Sequence, residues 1–240
     1  MKWLWAVCAV IALVVVGGTF LIARSVAVAP RYSSVGYRSG PEWDKLKKAR
    51  SEGKAGWSDL QTLMDSKDTS VAYEAMRTLV TGTEDSAKKF FEELPKLSSS
   101  NKDIARYQSF DDRAFTFASS ALSGGTEEER VGAALFVRMN YGGSSVSTAV
   151  RRDLFETLVD SMDSAKGDYA KDLAFTIAEY SDGDLSPLLE KLKSKDAVVR
   201  KMAVQALGKS GRQDALANVR AMKNDRNKAV KAAAALAESS

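Results

Sequence analysis

From residue 43 onwards, apolar residues return at intervals of three and four, and strict alternation is almost absent. That spacing marks amphipathic helices rather than strands. The clearest stretch is 196–211. Asp196 is placed to cap a helix, Val199, Ala203, Ala206 and Leu207 fall on one face, and Gly208 and Gly211 are placed to end it. A short helix with one apolar face cannot bury that face alone, so it predicts neighbours of the same kind.

Those neighbours are visible. Asp68, Val71, Ala75 and Leu79 repeat the spacing of Asp196, Val199, Ala203 and Leu207. Thr126, Glu129, Ala133 and Val137 fit it, with Thr126 and Glu129 as a capping box. Asn227, Val230 and Ala234 give a weaker copy. The alanine in mid-face lets a paired helix approach closely. From Val71 to Glu129, Val199 and Val230 the intervals are 58, 70 and 31 residues, which read as multiples of a unit of 29 to 35 residues. That length suits a helix pair. Partner helices are expected over 58–66, 84–97, 111–123, 147–162, 168–180, 186–192 and 212–223. Inward residues include Ala114, Phe117, Ala118, Ala121 and Leu122, then Leu154 and Leu158, Leu173 and Ile177, and Leu216 and Val219. Residues 140–146, rich in Gly and Ser, read as a connector.

The first residues follow a different pattern. Residues 3–23 form an uncharged run of 21, dominated by Val, Ala, Leu and Ile. As a helix it spans about 31 Å, the thickness of a bilayer core. Trp3 and Trp5 sit at one interface, and Arg24 ends the run. Ser25-Val26-Ala27 offers the competing reading, a cleaved signal peptide, but the run exceeds the usual apolar region of about 7–15 residues. The expected organisation is an uncleaved anchor over 1–24, a flexible linker over 25–42 and a helical domain over 43–240. Lys2 favours an inside N-terminus and Arg24, Arg31 and Arg38 the reverse, and the domain is expected outside the cytoplasm of a bacterial inner membrane.

Composition removes whole classes of chemistry. There is no histidine and one cysteine, Cys8, inside the apolar run. Ser-His and Cys-His nucleophiles, His/Cys zinc sites and an internal disulfide framework are thereby excluded. Net charge is +4, unevenly spread. Residues 24–54 carry eight basic and three acidic side chains, 55–190 carry 14 and 24, and 191–240 carry 12 and four. Such asymmetry bears on partners rather than on fold.

The pattern Val199-Arg200-x-x-Ala203-x-x-Ala206-Leu207-Gly208-x-x-Gly211, followed by Ala215 and a fresh unit, resembles bacterial HEAT repeats, including the HEAT-like repeats of phycobilisome lyases. The resemblance is good over 185–240, fair over 57–97 and weak over 98–184. It implies an all-α fold, a right-handed α-solenoid of HEAT-like helix pairs, which here stands behind the one transmembrane helix expected from the apolar run. It also implies that a basic residue after the repeat valine, such as Arg200 or Lys231, makes structural contacts with the next unit. A plain helical bundle is the alternative.

Candidate chemistry is sparse. Gly208-Lys209-Ser210 ends like a phosphate loop, but Ala203 stands where that motif needs glycine, and a helix precedes it. Glu127 to Glu129, and Asp111 with Asp112, occupy first helical turns, where acids favour the helix dipole. No catalytic residue, metal ligand or cofactor is expected. The basic C-terminal units remain, and Arg212, Arg220, Lys223, Arg226 and Lys228 are the candidate partner-binding residues. The sequence therefore predicts a tethered, non-enzymatic scaffold or adaptor for a protein partner. The alternatives are an accessory or lyase-like protein, or a binder of anionic lipid or nucleic acid. Nucleic acid is disfavoured by the anchor, the acidic middle and the lack of aromatic residues in 191–240.

Overall fold

The computed structural model describes residues 39–106, 110–140, 146–181 and 183–238. The apolar run, nearly all of the linker and residues 141–145 of the connector lie outside them. Among the described residues there is no strand, and no helix is long and apolar enough to cross a membrane. Thirteen α-helices lie within them: α1 (Pro41–Ser51), α2 (Trp57–Leu63), α3 (Thr69–Val80), α4 (Glu84–Glu93), α5 (Ser99–Arg106), α6 (Asp112–Gly124), α7 (Glu127–Met139), α8 (Thr148–Ser161), α9 (Gly167–Glu179), α10 (Ser186–Lys191), α11 (Ala197–Lys209), α12 (Gln213–Ala221) and α13 (Lys228–Glu238).

The helix boundaries follow from local chemistry. The Asp68 carboxylate accepts from the N–H groups of Ser70 and Val71, and Asp196 accepts from Val198. Thr126 and Glu129 close the expected capping box, and Thr83 with Ser86 closes a second. Each such cap contributes about 1 kcal/mol by satisfying an orphan donor. Pro41 and Pro187 open α1 and α10, where the missing N–H is harmless. Pro95 has the opposite effect. It cannot donate to the carbonyl of Phe91, so the helix expected over 84–97 stops at Glu93 and continues as a 3₁₀ turn, Leu94–Lys96.

The helices stack in two layers. α2, α4, α6, α8 and α10 touch in series, as do α3, α5, α7, α9, α11 and α13. Most helices of the second series also pack on a partner from the first: α3 on α2, α7 on α6, α9 on α8 and α11 on α10. α1 lies against α2 and α3, and α12 against α11 and α13. This ladder of helix pairs is an α-solenoid. Second helices begin at residues 69, 99, 127, 167, 197 and 228. The 58-residue interval therefore holds two units, through α5, and the 70-residue interval holds two, through α9. The connector between α7 and α8 lengthens one unit. α5 itself does not stand out in the sequence, because only Asn101, Ile104 and Ala105 are buried in it. Its place is fixed by polar contacts: Asn101 donates to Asp65 at 2.8 Å and to the Ser66 carbonyl at 3.3 Å.

An aromatic cluster fills the core where α4, α6 and α7 meet. The ring of Phe136 lies 4.9 Å from Phe110, 5.2 Å from Phe115, 5.5 Å from Phe91 and 5.8 Å from Phe90, and all five rings are buried. Phe115 fills the place expected of Phe117. It lies nearer the middle of the stripe formed by Ala114, Ala118, Ala121 and Leu122, whereas Phe117 is half-buried under the Arg113 guanidinium at 5.2 Å.

Two glycines set helix separations. Gly132 of α7 faces the Phe91 carbonyl, the one that Pro95 leaves without a helical donor; a Cβ there would stand 1.7 Å from its oxygen. Gly208 does not end α11 as expected. It lies inside the helix, and a Cβ would stand 2.3 Å from Cβ of Ala237 in α13. Gly211, with φ +65°, takes the left-handed turn after the helix. Glycine to alanine inside a helix normally stabilises by about 0.5–1 kcal/mol. At Gly132 the sign reverses: Gly132→Ala is expected to lose about 2 kcal/mol in urea unfolding, because backbone rather than a side chain must move. Gly124→Ala in α6, where nothing lies within 4 Å, is expected to lose nothing. Equal stability of the two variants would refute the close approach.

Candidate functional site

Among the described residues three large hydrophobic side chains are exposed: Phe175 at 40%, Val198 at 46% and Leu236 at 68%. Single exposed hydrophobes need no explanation. These three fall one each on α9, α11 and α13, consecutive members of the second-helix layer. Each stands outside the buried stripe of its helix. Leu173, Ala174 and Ile177 are buried around Phe175, Val199 follows Val198, and Ala233 and Ala234 precede Leu236. An apolar residue off the core face is the one signal the sequence offers for this surface.

The same helices enclose two hollows. One, of about 220 Å³, lies at the start of α11 and is lined by Ala170, Lys171, Val198, Lys201, Met202 and Asn227, among others. The second, of about 280 Å³, lies at the end of α11 and includes Phe175, Lys209, Ala233 and Leu236. Gln205 lines both, so the two form one groove along α11. No Asp or Glu among the described residues lines either hollow. Phe175 is flanked by cations, with Lys209 Nζ 5.0 Å and the Arg138 guanidinium 5.7 Å from its ring. Arg138 also holds Asp172 at 2.9 Å.

α11 is locked to the turn that leads into α13. Arg200 makes two hydrogen bonds to Asp225, at 2.7 and 2.9 Å, and donates to the carbonyls of Ser194 and Lys195 at 2.8 and 3.1 Å. The side chains are only 5% and 7% exposed. The Arg200 hydrogen bonds hold the Asp225 carboxyl below its ordinary range, and Asp225 in turn raises the guanidinium. Asp225 also accepts from the N–H of Asn227, which lines the first hollow. The structural role expected for a basic residue after the repeat valine thus holds at Arg200. Lys231, the equivalent on α13, is exposed.

The five basic residues singled out in the sequence do not form one cluster. Arg212 is half-buried at the start of α12 and is bound to Asp214 and to the carbonyls of Ser181 and Gly183. Arg220 lies on α12 and Lys223 in the turn after it, both exposed. Arg226 donates to the Lys195 carbonyl at 3.3 Å and, with Lys228, flanks Asn227 at the mouth of the first hollow. Of the basic residues in 191–240, Lys201 and Lys209 line the groove.

Elsewhere the chemistry is structural. A groove of about 530 Å³ near Trp57 and Gln61 mixes Lys54, Lys88 and Lys89 with Asp85 and Glu129. Another, of about 410 Å³, mixes Arg151 and Arg152 with Glu156 and Asp184. The lowered carboxyls of Asp65, Asp112 and Asp184 are explained by hydrogen bonds from Asn101 and Ser98, from Ser147, and from Ser186. Among the described residues no three His, Cys, Asp or Glu side chains are placed to hold a metal ion.

The family model for HEAT repeats matches residues 154–238, the stretch that includes the groove helices α9, α11 and α13. No curated protein sequence matches the chain. Among solved structures, one described as computationally designed armadillo repeat proteins for modular peptide recognition is 14% identical, covering 82% of this chain and 98% of its own, with a TM-score of 0.48. A designed armadillo repeat protein in complex with the peptide (KR)4 is 19% identical over 82% of this chain and 90% of its own, with a TM-score of 0.35.

Proposed function

We propose that this protein is a membrane-tethered scaffold whose HEAT-repeat module holds a protein partner on the groove of α9, α11 and α13, without catalysing a reaction. The observation that carries the reading is the placement of Phe175, Val198 and Leu236 on three successive helices of one layer, around hollows no side chain fills. Solenoids use such a layer as an extended docking surface, because stacked units present equivalent helix faces side by side. Residues 3–23 would supply the tether, with the module outside the cytoplasm, and Arg212, Arg220, Lys223, Arg226 and Lys228 would steer the partner towards its seat.

The test is site-specific photocrosslinking in native membranes. A photoreactive residue at Val198 or Leu236 of the full-length chain is expected to trap one and the same protein. The same residue at Lys47 or Lys48, exposed on α1, is expected not to trap it. Deleting residues 1–24 should reduce the yield. Adducts of no protein, or equal adducts at all four positions, would defeat the proposal.

A further inference from the structure

We propose that the segment seated in this groove is acidic and amphipathic, with apolar side chains entering the two hollows and carboxylates meeting the lysines between them. The proposal rests on the scaffold reading and goes further by giving the partner's chemistry. Its basis is charge complementarity. Lys201 lines the first hollow and Lys209 the second, and no carboxylate lines either among the described residues. Neither Lys201 nor Lys209 is in an ion pair among the described residues, and Lys209 meets only the face of the Phe175 ring. The two other grooves each contain both signs of charge. A basic segment would bring cations against Lys201 and Lys209 with nothing to offset them, and a neutral apolar segment would leave both ammonium groups partly desolvated.

The dimensions fit a short segment. From Val198 to Lys209 along α11 is about 16 Å, at 1.5 Å per residue. An extended chain covers that in about five residues and a helix in about eleven. The apolar anchors of the groove lie at its two ends, Val198 at one and Phe175 with Leu236 at the other. Recessed hollows between helices suit inserted side chains, whereas a lipid surface engages protruding ones.

The experiment uses the full chain in detergent micelles and three fluorescent peptides of about 16 residues. One carries Glu and Asp around regularly placed Leu, one has Lys at every acidic position, and one keeps the acids with Ser for Leu. Fluorescence anisotropy reads binding and hydrogen exchange locates it. The acidic Leu peptide is expected to bind at least about tenfold more tightly than either control and to protect α11. Lys201→Glu with Lys209→Glu is expected to reverse the preference towards the basic peptide, a gain that an unfolded variant would not show. Phe175→Ser with Leu236→Ser is expected to weaken the acidic peptide about tenfold. Equal or tighter binding of the basic peptide overturns the proposal. So does protection of α11 by phosphatidylglycerol vesicles but not by the peptide, which would assign the groove to lipid. If Val198 traps a protein in membranes while the acidic peptide does not bind, only the partner chemistry fails. If Val198 and Leu236 trap none, the scaffold reading fails with it.

Discussion

Phe136→Ala is expected to destabilise the domain by about 4 kcal/mol, at the upper end for a core deletion, because four other phenylalanine rings lose their common neighbour. The consequence reaches beyond a lower midpoint. In a solenoid each unit is held mainly by its neighbours, so a weakened middle uncouples the two sides. Trp43 and Trp57 belong to α1 and α2, on the near side of the cluster. Urea unfolding followed by circular dichroism should therefore split into two phases in Phe136→Ala, while tryptophan fluorescence follows one of them. Phe136→Leu, which retains much of the volume, should lose less than half as much. A single transition displaced by under about 1 kcal/mol would mean that the cluster closes over the gap, contrary to the usual limited relaxation of a core.

Asp225→Ala is expected to cost about 3 kcal/mol, localised at the far end of the array. Removing the carboxylate leaves the Arg200 guanidinium buried with only two carbonyls as partners. Hydrogen exchange in α13 should accelerate before exchange elsewhere. Replacing both residues, Arg200→Met with Asp225→Leu, should recover most of the loss, since apolar pairs of similar size often substitute for buried ion pairs. The pair also makes stability depend on pH. The folded-state pKa of Asp225 is lowered by Arg200, so its contribution is present above the unfolded value of about 4 and is lost as pH falls through the folded one. Asp65, lowered by Asn101 and Ser98, and Asp112, lowered by Ser147, act in the same direction. Thermal melts between about pH 7 and pH 3 should show wild type and Asp225→Ala converging as the acid end is approached. Curves that stay parallel would separate the pair from the acid response.

Much of this architecture is legible in the sequence, and the reason is local. Caps such as Asp68, Thr126 and Asp196 act within one helical turn, and the stripes that begin at Val71, Glu129, Val199 and Val230 repeat because each unit solves the same packing problem. What was not readable depends on contacts between units. α5 has too few apolar residues to show a period and is held instead by Asn101 reaching to Asp65. Gly208 looks like a helix end until Ala237 is brought against it. The groove is the extreme case. Its apolar residues come from three helices about 30 residues apart in sequence, each alone on a polar face, and Phe175 lies outside the basic C-terminal stretch where aromatic residues are absent. Charge density along the chain therefore points to Arg212 and Arg220, whereas the shape of the groove points to Lys201 and Lys209.

The alternate-helix ladder also has a mechanical meaning. Its substantial contacts run between helices no more than three apart in the chain. A module built this way, held at one end and loaded at the other, has no long-range staple that must break first. Under tension it is expected to yield one pair at a time, each release adding about 100 Å of extended chain for about 30 residues. Load on the last pair would pull on the contact of Arg200 with Asp225, which ties α11 to the turn before α13, so this buried pair is also the latch of the last link.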